Sequence, residues 1–221
     1  MNDNLGNLFF DHPEIKIGKQ IWMTQNLAVE TFRNGDPIPH VTSSEEWEKY
    51  GNQGKPAWCY YENSKANGDK YGKLYNWHAV NDPRGLAPKG WHVPSIEVAN
   101  ELLIFAGVGR NEFDEFIFSE KLRGNFLLKS DNATGFSALL GGRRSIAGRF
   151  KGIDKRTGFW TSTENVYEED DVNDGLVFHL DLNTDSFDLE GDDFTEDYWD
   201  VASSWLKGYG YSVRLLKDDT F

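Results

Sequence analysis

The sequence predicts an α+β domain: two helices packed on a twisted, mostly antiparallel sheet, with long loops rich in aromatic residues. Three observations predict it. Two amphipathic helical segments lie in the first half of the chain, and strand-like segments crowd the second. Aromatic residues make up 14% of the 221 residues while all hydrophobic residues reach only 38%, so Trp, Tyr and Phe must supply an unusual share of the buried area. No internal repeat and no low-complexity linker divides the chain, which points to a single domain. That domain is expected over 14–221, preceded by an N-terminal extension over 1–13.

Taken in order, 14–23 reads as a hairpin. Ile15, Ile17, Ile21 and Met23 are apolar around Gly18 and Lys19, which have turn chemistry. Residues 42–50 read as a helix with Ser43 as N-cap and Glu46 completing a capping box; Trp47 and Tyr50 then share a face. A second helix opens at Pro94 and Ser95. Its apolar stripe is Val98, Leu102, Leu103, Phe105 and Ala106, and Gly107 ends it. Strands are expected at 136–140, 159–162, 176–182 and 211–216. In 176–182, Leu176, Phe178, Leu180 and Leu182 alternate with Val177, His179 and Asp181, the period of a strand with one buried face. His179 and Val177 would point outward.

Charge is segregated. The net charge is −13, and between Arg156 and Lys207 there are fifteen acidic residues and no Lys or Arg. The other 21 acids face 23 bases, so the rest of the chain is close to neutral. Such an acidic segment argues against nucleic acid as a partner and against an anionic membrane surface. No run of eighteen apolar residues exists and 1–11 resembles no export signal, so no membrane insertion is expected. Cys59 is the only cysteine, which leaves no intrachain disulfide and no paired-cysteine zinc site.

The acidic segment holds the candidate binding residues. Asp181, Asp185, Asp188 and Glu190, with Asp192 and Asp193 beside them, supply the hard oxygens calcium needs, though their spacing matches no EF-hand loop. The competing reading is a solvated acidic face with no cofactor. Tyr198, Trp199, Trp205 and Tyr209 lie near Asp193, Glu196, Asp197 and Asp200. Aromatic faces beside carboxylates suit a sugar, whose C–H face stacks on a ring while its hydroxyls donate to carboxylates. Trp199, flanked by charge, is the best stacking candidate, whereas Trp22, Trp77, Trp91 and Trp160 are expected in the core. The basic run Arg143, Arg144, Arg149, Lys151, Lys155 and Arg156 lacks a phosphate-loop pattern, and is expected to face the acidic segment across the domain. No catalytic constellation stands out: Cys59 sits in an apolar, aromatic run where a buried thiol is inert, and the five histidines show no metal-binding spacing. His78 and His92 are expected to be structural.

Seven segments occur in order: 15–23 (IKIGKQIWM), Asn26 with Leu27, 56–61 (PAWCYY), 71–95 (YGKLYNWHAVNDPRGLAPKGWHVPS), 135–142 (GFSALLGG), 158–164 (GFWTSTE) and 210–218 (GYSVRLLKD). Together they resemble the Fibrobacter succinogenes major paralogous domain family. The resemblance covers nearly the whole chain. It implies a C-type-lectin-like fold, in which two helices precede a strand-rich second half, and an extracellular or cell-surface location on a bacterial protein. With no export signal in 1–11, a cytoplasmic location stays open. No established reaction is implied, and one cysteine cannot supply the cysteine pair of the oxidases that share a distantly similar fold. The expectation is therefore a non-catalytic module that binds a glycan or protein ligand through its C-terminal-half loops. The alternative is an assembly component docking a basic partner through its acidic face.

Overall fold

The hairpin forms as β1 (Glu14–Ile17) and β2 (Gln20–Met23). Its ladder closes at Ile17↔Gln20, so Gly18 and Lys19 make a two-residue turn, and Gly18 takes the positive φ of 59° that such a turn demands. In this computed structural model, the described residues are 12–105, 109–110, 116–117, 135–166, 173–181 and 202–218.

Helix α1 (Ser44–Asn52) starts where its cap chemistry places it. The Ser43 side chain accepts the Glu46 backbone N–H at 3.1 Å, and Trp47 is buried. Strand β3 (Trp58–Cys59) pairs antiparallel with β4 (Leu74–Tyr75), and between them lie a 3₁₀ turn (Tyr61–Asn63) and the short helix α2 (Lys65–Tyr71). Helix α3 (Trp77–Val80) is capped by Asn76, whose Oδ1 accepts from Ala79 N–H. Neither α2 nor α3 was expected, and both are too short to carry a periodic apolar stripe.

After β5 (Trp91–His92), α4 spans Ile96–Phe105. Its buried residues are Ile96, Ala99 and Leu102, while Phe105 is 62% exposed. Leu102 and Val98 thus face the core as expected, whereas Phe105 turns outward; the Leu103 side chain, Ala106 and Gly107 fall outside the described residues. The short pair β6 (Gly109–Arg110) and β7 (Phe116–Ile117) follows.

The second half is strand-rich: β8 (Gly141–Arg144), β9 (Phe150–Ile153), β10 (Arg156–Val166), β11 (Asn173–Asp181), β12 (Ala202–Trp205) and β13 (Leu216–Lys217). Five of these form one sheet in the order β12-β11-β10-β8-β9. All its pairings are antiparallel except β10 with β8. A second sheet, β1-β2-β13-β5, brings the first hairpin against the last strand.

The segment 210–217 links these layers. Its backbone bonds to Arg144, Tyr75, Trp160, Leu27 and Met23 in turn, which satisfies buried peptide groups that no single sheet could pair. Around it lies a core built from rings, with Trp22, Trp47, Trp160, Tyr75, Tyr211, Phe136 and Phe159 at 1% exposure or less. At about 1.5–3 kcal/mol for each large side chain removed from water, these rings are the principal stabilising mass. Trp77 and Trp91 join them, as expected.

Three expectations fail. Residues 136–140 form no strand, and Ser137 has φ of 55°. Val177 is fully buried rather than outward, packed in one cluster with Trp160 and Tyr211. Arg144 is 0% exposed and its guanidinium is spent on the carbonyls of Val41, Thr42, Ser43 and Gly148, so it does not face the acidic segment across the surface.

Candidate functional site

The acidic segment is mounted on the five-stranded sheet. Strands β11 and β12 are antiparallel neighbours with Phe178 opposite Ala202 and Gly175 opposite Trp205. The intervening stretch therefore leaves and re-enters the sheet at adjacent positions. These strands are anchored by Val177 and Trp160, both 0% exposed. At the same strands, Lys207 forms an ion pair with Glu164 and lies 4.8 Å from the centre of the Trp77 ring.

Of the sequence-derived candidates, Asp185, Asp188, Glu190, Asp192, Asp193, Tyr198 and Trp199 lie outside the described residues. Asp181 ends β11 and Trp205 ends β12, so both sit on the strands that hold the segment; their side chains, like that of His179, also lie outside the described ones. Tyr209 is 3% exposed and belongs to the core, which removes it from the stacking candidates. Among the described residues, no group of three or more His, Cys, Asp or Glu side chains converges as a metal site. Also among them, no helix is long and apolar enough to cross a membrane.

Several polar side chains in or near the seven segments are occupied in structural bonds. Arg144 donates to the carbonyls of Val41, Thr42, Ser43 and Gly148 at 2.7–3.2 Å and stacks against Trp47 and Phe150. Arg214, fully buried, donates to the carbonyls of Met23, Phe136 and Ser137 and to Asn26 Oδ1. Burial pulls its pKa down to about 9, and these oxygens hold the guanidinium in place. His78 Nε2 lies 3.0 Å from the Gly51 carbonyl, and burial lowers its pKa. His92 Nδ1 sits 2.7 Å from Asp218. Cys59 is buried and desolvation pushes its thiol up to about 12, far from the thiolate range a nucleophile needs. The structural reading of His78, His92 and Cys59 therefore stands.

One surface cluster was missed. The backbone of 39–41 runs alongside Trp58, with Trp58 N–H donating to Pro39 and Val41 N–H to Trp58. This lays the exposed His40 ring flat on Trp58, centroids 4.0 Å apart and planes 3° off parallel. Tyr60, two residues on from Trp58 and so on the same strand face, meets both rings edge-on at 5.6 and 5.1 Å. Tyr60 in turn rests on α2 at Gly68, where a Cβ would fall 2.1 Å from its ring.

Lys73, just before β4, reaches under the same rings. Its ammonium lies 4.5 Å from the Trp58 centroid and 5.2 Å from that of Tyr60. It donates to the Ala28 carbonyl at 2.6 Å and pairs with Glu30 at 3.2 Å. The lysine side chain is 5% exposed and the glutamate 62%. Desolvation lowers the Lys73 pKa, against the opposing pull of Glu30. The Glu30 backbone is fixed because its carbonyl accepts from Ile38 and the adjacent Val29 carbonyl from Tyr75 Oη. Desolvation also lowers the His40 pKa, with Glu30 acting in the other direction. The available signal was the i, i+2 spacing of Trp58 and Tyr60 in AWCYY; His40 and Glu30 come from segments that sequence alone does not bring together.

Residues 15–217 match the family model of the Fibrobacter succinogenes major domain. No curated protein and no solved structure matches the chain. The match includes both sheets and the 210–217 segment that joins them, and it spans most of the sequence. The chain belongs to the Fibrobacter succinogenes major domain family.

Proposed function

We propose that this domain is a non-catalytic recognition module of C-type-lectin-like architecture. It would sit on a bacterial surface or secreted protein and bind a glycan or a protein surface through the loops of its C-terminal half, 163–209. Tyr198, Trp199 and Trp205 serve as stacking anchors, and Asp192 and Asp193 accept ligand hydrogen bonds. The observation that carries this reading is the pairing of Phe178 with Ala202. It fastens both ends of a segment rich in acids and rings to a rigid sheet, the arrangement by which scaffolds present binding loops. The C-type-lectin-like architecture is supported by the helices that precede a strand-rich second half.

Calcium is the cofactor this reading allows, held by Asp181, Asp185, Asp188 and Glu190 and open to ligand hydroxyls. The test is the melting temperature with millimolar calcium and with chelator. A ligand that binds only the folded state raises it. A calcium-dependent rise that D185N/D188N abolishes supports the ion site; no shift removes calcium from the proposal. The binding role is tested on a glycan array with the wild-type domain and with W199A/W205A. Binding undiminished in the double variant overturns it.

A second reading is favoured by the charge distribution: an assembly component whose acidic face docks a basic partner. Fifteen acids without a single base make a surface whose associations weaken steeply with salt.

A further inference from the structure

We infer that the surface formed by His40, Tyr60 and Glu30 is a second binding site, specific for a pyranose ring of a neutral glycan and separate from the acidic segment. The platform is His40. Its inner face is covered by Trp58, 4.0 Å away and parallel, so the ring is held flat and its outer face is presented to solvent. A lone surface histidine would rotate; stacking and the Tyr60 edge remove that freedom before any ligand arrives, which lowers the entropic cost of binding. Desolvation holds the His40 pKa below its usual value of 6.5. At neutral pH the platform is thus uncharged, which suits the C–H face of a sugar better than an anion.

Beside the platform stands a fixed hydrogen-bond acceptor. The Glu30 carboxylate is 62% exposed yet anchored by the Lys73 ammonium, 3.2 Å away and itself 5% exposed. Lys73 is a positioning residue: its burial, its bond to the Ala28 carbonyl and its contacts with two rings leave it no route to a ligand. The carboxylate retains lone pairs facing solvent and accepts sugar hydroxyl donors. A flat neutral ring next to an oriented acceptor is the chemistry that binds a pyranose. Ligands that are anionic phosphates or sulfates are disfavoured, because the only exposed charge of the cluster is negative.

The test is saturation-transfer NMR of the purified domain with hexamers of β-1,4-glucose, β-1,4-xylose and β-1,4-N-acetylglucosamine at about 5 mM, suited to millimolar affinities. Four variants accompany the wild type: H40A, H40F, E30Q and W199A/W205A. At least one hexamer is expected to bind and to shift the His40 ring signals. H40A is expected to weaken that binding about tenfold or more, H40F to stay within about threefold of wild type, and W199A/W205A to leave it unchanged. E30Q keeps an acceptor at the exposed position but gives up the charge that Lys73 holds in place, and is expected to weaken it severalfold. Failure of all three hexamers to bind overturns the inference. So does equal binding by H40A and H40F. Loss in W199A/W205A with H40A unaffected also overturns it, and places the sugar site in the acidic segment instead.

Discussion

Replacing Arg214 by lysine should damage the domain at least as much as replacing it by methionine, although lysine keeps the charge. Arg214 is 0% exposed, and its guanidinium spreads bonds over the Met23, Phe136 and Ser137 carbonyls and Asn26 Oδ1. Among the described residues no carboxylate meets it. Methionine fills the volume of the stem and removes the donors. Four acceptors then lose a partner at about 1–3 kcal/mol each, while relief of the buried charge returns several kcal/mol. The net cost is about 3 kcal/mol. Lysine relieves nothing, because its ammonium is still buried. With three donors on one atom it cannot reach acceptors spread across a planar fork, so at least one or two oxygens are left bare at a net cost of about 3–5 kcal/mol. For a domain of this size, about 3 kcal/mol corresponds to a fall of about 6–12 °C in melting temperature. Urea denaturation at pH 7 and 25 °C gives the free energies directly, and near-UV circular dichroism reports whether the aromatic core is retained. A lysine variant that is clearly more stable than the methionine variant, or that matches wild type, would refute the reasoning.

Further outcomes follow from the same geometry. His40 and His78 both have pKa values lowered by desolvation, so below the ordinary value of 6.5 the unfolded chain binds more protons than the folded one. Stability should therefore fall as pH drops from 7.5 to 5.5, and urea midpoints should show a smaller fall in H78Q; an unchanged slope in that variant would assign the effect elsewhere. Gly68→Ala raises helix propensity but sets a methyl 2.1 Å from the Tyr60 ring. Overpacking of about 1–3 kcal/mol should outweigh the gain, and a melting temperature above wild type would show that Tyr60 moves freely. Lys65→Ala removes an ion pair to Asp69 whose side chains are 75% and 67% exposed; thermal melts should show almost no change, since solvent screens such exposed pairs.

The parts of the fold legible in the sequence are those decided locally. The hairpin at Gly18 and the Ser43 cap of α1 depend on residues within a few positions of one another. The segment 136–140 was misread because its carbonyls are claimed from far away: Phe136 and Ser137 accept from Arg214, which replaces the ladder a strand would need. Arg144 was misread for a related reason: it is taken inward by the carbonyls ahead of α1, a demand made about a hundred residues upstream. Val177 shows the limit of alternation, since the side of the strand it occupies is covered by the core. At the candidate sites the acidic segment was legible as composition, whereas the His40 cluster depends on three segments that meet only in the folded chain.

The meeting of β1 and β13 in one sheet bears on how the domain carries load. Both pair antiparallel with β2, and Ile15 and Leu216 lie opposite the same residue, Trp22. The polypeptide thus enters and leaves in the same direction along strands separated by two strand spacings, about 10 Å. Tension applied at its two ends would drag β1 and β13 in opposite senses along their own axes, stressing the bonds to β2 together rather than one after another. Such a joint resists pulling better than one that unzips.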